Sequence, residues 1–140
     1  MSIIFNNNIQ EVILIPGYNL TATTKVIMDY IWTFPEGTSF RQIYKHFTEE
    51  EGRSWKRQTL YTYLTILMDQ GFLRTEGTRR RTVYIPAISL DDYRQYHAKE
   101  ILQASYDNSL VKFIAALNGG NTISNKEADE LIAMLNEIRE

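Results

Sequence analysis

Cysteine is absent from the 140 residues, and histidine occurs only twice. Without thiols there are no disulfides, no thiolate metal sites and no Cys nucleophile, which fits a reducing compartment. His46 and His97 fall on separate predicted helices, and neither has a ligand-type partner at i, i+4, so no metal site is expected. Asp91 and Asp92 are adjacent, so their side chains diverge on a helix; they suit a helix N-terminus better than an acid/base couple. Gly119-Gly120 precedes a helix but lacks the Lys-Ser/Thr of a phosphate loop. Long apolar runs are missing too. Val12 to Ile15 ends at Pro16-Gly17 and the first basic residue is Lys25, so neither a signal peptide nor a membrane span is expected. These absences lead to the expectation of a cytoplasmic protein that is not an enzyme and needs no cofactor.

What is present is a core-sized apolar content and an uneven charge. At 44% hydrophobic, 140 residues suffice for one compact domain with an appendage. The formal net charge is -2, yet residues 41–81 carry nine Lys/Arg against five Asp/Glu, while residues 82–140 carry five against nine. The middle of the chain is a basic island, as a solvated face or a nucleic-acid contact would require.

Periodicity sets the order of elements. In residues 1–20, two short apolar runs, Ile3-Ile4-Phe5 and Val12 to Ile15, read as strand-like pieces of an N-terminal extension. From Thr21, a possible N-cap, Val26, Ile27, Tyr30, Ile31 and Phe34 predict a helix over about 22–34. Ser39 and Gln42 have the spacing of a capping box before Phe40, Ile43, Tyr44 and Phe47, a second helix ending near Glu49 to Gly52. The third starts after Ser54, with Leu60, Leu64 and Leu67 as its apolar stripe and Gly71 as its stop. Trp32, Leu64 and Leu67 are expected in the core.

The opposite face of the third helix carries Gln58, Thr59, Tyr61, Thr62, Thr65 and Asp69, groups that donate and accept hydrogen bonds. Such a face suits base edges in a major groove, and it is also consistent with simple solvation. Lys56 and Arg57 stand at its start. Two β-prone runs, Phe72 to Thr75 and Thr82 to Ile85, flank a segment bearing Arg79, Arg80 and Arg81 and predict a hairpin with an arginine tip. Three helices and a hairpin give the order of a winged helix-turn-helix.

Three more helices follow. Ser89 to Asp92 opens one, with Leu90, Tyr93, His97, Ile101 and Ala104 at helical spacing; a short one surrounds Leu110, Val111, Ile114 and Leu117. The last begins at a second capping-box spacing, Ser124 to Glu127, and aligns Ala128, Leu131, Ile132, Leu135 and Ile138. Their stripes exceed what a small winged domain can cover, so a second copy is the expected partner, with an intramolecular subdomain as the alternative. Tyr93, Ile101, Leu110, Ile114, Leu131 and Leu135 are the candidate dimerisation residues. The expected fold is mainly α with a small β-hairpin. It divides into an extension (1–20), a winged-helix DNA-binding domain (21–87) and a C-terminal helical dimerisation region (88–140).

The stretches Val26 to Trp32, Trp55 to Leu73, Val83 to Ser89 and Asn108 to Ile114, the last followed by "SNKEADELIAML", agree in order and spacing with one known family. From about Leu20 to Ile138 the chain resembles the penicillinase-repressor (BlaI/MecI/CopY-type) winged-helix transcriptional repressors. The resemblance implies a dimer that places two recognition helices on a palindromic operator in double-stranded DNA. The family's two recognition-helix threonines fall on Thr59 and Thr62, and its glycine before the wing falls on Gly71. The chain departs from the pattern at Tyr61 and Ile66, where relatives often carry Arg, and at Thr23-Thr24-Lys25, so an operator sequence does not carry over. The paired Cys motifs of the copper-responsive branch are absent, and the β-lactam branch's Asn-Phe cleavage bond is replaced by Lys112-Phe113, so the inducing signal is not implied either. A winged helix used purely as a protein-protein module is the competing function. The wing arginines favour DNA, because phosphate contacts supply most of the non-specific affinity.

Overall fold

The computed structural model of the chain describes residues 20–140. The strand-like pieces expected at 3–5 and 12–15 lie outside them. Helix α1 (Ala22–Ile31) opens on a reciprocal cap: the Thr24 amide donates to Thr21 Oγ1 at 3.2 Å, and the Thr21 amide to Thr24 Oγ1 at 2.9 Å. Ile27, Met28 and Ile31 recur at 3.6-residue spacing, and all three are fully buried.

Strand β1 (Thr38–Ser39) precedes α2 (Phe40–Lys45), on which Ser39 Oγ accepts from the Gln42 amide at 3.1 Å. The backbone continues as a π-helical segment, His46–Glu50, closed by the Glu51 amide donating to the His46 carbonyl at 3.0 Å. Helix α3 (Arg57–Asp69) buries Leu60, Leu64 and Leu67 completely, as their spacing predicts. It ends in a Schellman arrangement: Gly71, at φ +84°, donates to the Met68 carbonyl (3.1 Å), and Phe72 to the Leu67 carbonyl (2.9 Å).

The hairpin follows as β2 (Leu73–Glu76) and β3 (Val83–Pro86), paired antiparallel with Thr75 opposite Tyr84. β1 adds to the other side of β3, Thr38 opposite Tyr84, which makes a three-stranded sheet of order β1-β3-β2. The third strand was not legible in the sequence, because two residues show no period. The wing turn is fixed by the Arg81 amide donating to the Thr78 carbonyl at 3.0 Å, and by Gly77 at φ +94°. A Cβ on Gly77 would overlap the Arg81 carbonyl oxygen. Gly77→Ala should therefore cost about 1–3 kcal/mol through strain in the turn. Chemical denaturation checks it, and wild-type stability in the variant would mean that the turn reopens without penalty.

Helix α4 (Leu90–Ser105) is capped by Ser89, whose Oγ accepts from the Asp92 amide at 3.0 Å. The described residues form two units divided between His97 and Ala98. The core of the first joins α1, α2, α3 and the sheet to the start of α4. Trp32 Nε1 donates to the Ile88 carbonyl at 3.0 Å across 56 residues of sequence, and the Tyr93 ring stacks on Trp32 at 5.1 Å. Trp32, expected in the core, is buried there.

The second unit contains α5 (Leu110–Asn118) and α6 (Asn125–Ile138), started by Ser109 and Ser124, which accept from the Lys112 and Glu127 amides at 3.1 Å each. Neither helix contains a buried residue.

Candidate nucleic-acid interface

The winged arrangement leaves the outer face of α3 uncovered. Gln58, Tyr61, Thr62 and Thr65 are exposed, and Thr59 is half-buried. Thr62 Oγ1 donates to the Gln58 carbonyl at 3.0 Å and Thr65 Oγ1 to the Tyr61 carbonyl at 2.9 Å, each one turn back. With those hydroxyl hydrogens directed to the helix, the threonines present outward a lone pair and a methyl group. That surface accepts from adenine N6 or cytosine N4 and packs on a thymine methyl.

Lys56 and Arg57 occupy the N-terminal end of α3, and no side chain caps its first turn, so its amides and the positive end of the helix dipole are left for an external anion. Beside this end lies a groove of about 550 Å³ bounded by the start of α2, by α3 and by the wing. Five arginines line it: Arg41, Arg57, Arg79, Arg80 and Arg81. No acidic residue does so. Lys25, Arg53, Arg74 and Lys112 each have a carboxylate partner, whereas among the described residues none of the five groove arginines, nor Lys56, is in an ion pair. Uncompensated positive charge is therefore concentrated on one surface, which raises the local concentration of polyanions.

Tyr61 and Tyr84 line the same groove. Burial, and secondarily the neighbouring Tyr61 phenol, push the Tyr84 hydroxyl above its ordinary value, so it stays protonated at neutral pH and able to donate. Tyr61 rests one face of its ring on Phe40 of α2 and keeps the rest of its side chain exposed.

The structure thus brings Arg57, Tyr61 and the three wing arginines to a single groove, with Gln58, Thr59 and Thr62 on the neighbouring helix. Sequence reading missed Arg41, which sits within the apolar pattern of α2; its one signal was membership of the basic island. Tyr93, expected with the dimerisation residues, is instead buried in the first unit against Trp32 and Phe72. Ile101 and Leu110 are exposed, and Ile114, Leu131 and Leu135 are half-buried. Among the described residues no cluster of three or more His, Cys, Asp or Glu side chains is placed to hold a metal ion. His46 instead lies between Glu50 (Nδ1, 2.6 Å) and Glu51 (Nε2, 3.5 Å). No helix among the described residues is long and apolar enough to cross a membrane.

A three-helix core, an uncapped polar third helix and an arginine-tipped hairpin define a winged-helix protein with a surface for a polyanion. The penicillinase repressor family profile matches residues 20–137, and the chain belongs to that family. Its members are DNA-binding transcriptional repressors. No curated protein matches the chain.

Proposed function

We propose that the chain is a repressor that binds a palindromic operator as a homodimer in the cytoplasm. Residues 21–87 engage DNA and residues 88–140 hold the dimer. Helix α3 lies in the major groove with Gln58, Thr59 and Thr62 at base edges, while Arg79, Arg80 and Arg81 meet the phosphates. The observation that carries this reading is the groove of unpaired arginines beside the uncapped start of α3. A wing built for docking proteins would offer apolar anchors at its tip, and this tip is Thr78-Arg79-Arg80-Arg81. Selection of bound duplexes from a random DNA pool tests the reading: two related half-sites should emerge, and an unenriched pool would refute it.

The dimer is supported by the second unit, where Val111 is 78% exposed, Leu117 75%, Ile138 63% and Ile132 58%. Its apolar groove is lined by Leu110, Phe113, Ile114, Leu117, Ile123 and Leu131. Apolar area of this extent in water is unfavourable and is relieved by pairing with a second copy. Light scattering at micromolar concentration should give twice the 16.4 kDa chain mass. A monomer mass, with and without DNA, would exclude the dimer.

A further inference from the structure

Among the groove arginines, Arg57 has a built seat. Phe40 and Tyr44 lie one turn apart on α2, with ring planes within 13° of parallel and centroids 5.8 Å apart, so together they form a flat aromatic shelf. The Arg57 guanidinium carbon lies 4.9 Å from the Phe40 centroid and 5.5 Å from that of Tyr44. Tyr61, one turn further along α3, stacks on Phe40 at 3.9 Å and 13°. Two planar groups four residues apart on α3 are thus pressed onto two rings four residues apart on α2. The Tyr44 hydroxyl donates to the Trp55 carbonyl at 2.9 Å, which fastens the shelf to the residues just before α3.

Stacking holds a guanidinium by its face and leaves the N–H donors around its edge free. The attraction of the ring quadrupole orders the cation without neutralising it. Arg53 makes the contrast clear: it stacks over Trp55 at 5.0 Å, but its Nε lies 3.2 Å from a Glu51 carboxylate oxygen. Arg57 is stacked, exposed and, among the described residues, without a carboxylate partner. A side chain ordered before contact loses less rotamer freedom on binding.

We propose that Phe40, Tyr44 and Tyr61 are positioning residues that hold the Arg57 guanidinium for a backbone phosphate at the start of α3. They set DNA affinity without touching DNA. The inference rests on the DNA-binding reading above, and it makes Tyr61 a support for Arg57 and not a reader of bases.

A double-mutant cycle on the full chain tests it, with affinities measured by fluorescence anisotropy on the selected duplex and on a scrambled one. Arg57→Ala should weaken both by roughly tenfold. Phe40→Leu, which keeps apolar volume and removes the ring, should weaken both by roughly 3- to 10-fold. In the Arg57→Ala background the Phe40→Leu loss should fall below about twofold, because the two changes remove one contact. Phe40 is buried, so the same cycle is run with Tyr61→Leu, whose side chain is 40% exposed and whose loss does not open the core. Losses that add in both cycles, or a Tyr61→Leu loss confined to the selected duplex, would overturn the inference while leaving DNA binding intact. A wild-type chain that binds neither duplex would overturn both.

Discussion

Replacing Leu64 with Ala should lower the stability of the protein by about 2–5 kcal/mol, among the largest effects of any single truncation in the chain. Leu64 has no exposure and sits at the middle of the α3 stripe, with Leu60 before it and Leu67 after, both equally buried. The loss combines the transfer free energy of the removed methyl groups with the cavity left behind. That cavity closes poorly when the surroundings are Phe47, Phe72 and the α1 residues Ile27 and Ile31, themselves fully buried. Urea denaturation at fixed protein concentration measures it, since concentration alone shifts the apparent stability of a dimer. A midpoint equal to wild type would mean that the α3 stripe does not face the core.

The phase of that stripe was legible because a helix packed on one side repeats its apolar residues every three or four positions, and Leu60, Leu64 and Leu67 keep that spacing. Caps were legible for a similar reason: Thr21, Ser39 and Ser124 each sit three residues before an amide that needs an acceptor. The π-helical segment was not, since a shift from i−4 to i−5 bonding changes the backbone register without removing Phe47 from the core. Tyr93 shows a different limit. Its position on an apolar stripe marks a face to be buried, but periodicity does not say whether the cover comes from the same chain or from a second copy. Here the cover is Trp32 and Phe72 of its own chain. In the candidate interface, Arg79 to Arg81 announced themselves as a run, whereas the seat of Arg57 depends on residues from two helices meeting in space. No spacing along the sequence encodes that meeting.

Helix and wing should divide the work of recognition, and removing the wing charges should produce the largest change in affinity. The Arg79, Arg80 and Arg81 guanidiniums are exposed around a turn held by the Thr78 carbonyl, and among the described residues no carboxylate neutralises them. Each phosphate they meet releases condensed counterions whatever the sequence. Changing all three to Gln should therefore weaken selected and scrambled duplexes alike, by roughly a hundredfold to a thousandfold near 0.1 M salt, and flatten the slope of log affinity against log salt by about three. Thr62→Ala removes an outward acceptor and a methyl group but no charge. It should cost roughly 1–3 kcal/mol on the selected duplex, much less on the scrambled one, and leave the salt slope where it was. Because the Thr62 hydroxyl hydrogen is already given to the Gln58 carbonyl, Thr62→Val should behave like the Ala variant at an adenine or cytosine contact and like wild type at a thymine methyl. Salt titrations of each variant on both duplexes separate the two roles. The assignment fails if the wing variant alters sequence preference while Thr62→Ala alters only the salt slope, since the hairpin would then be the element in the major groove.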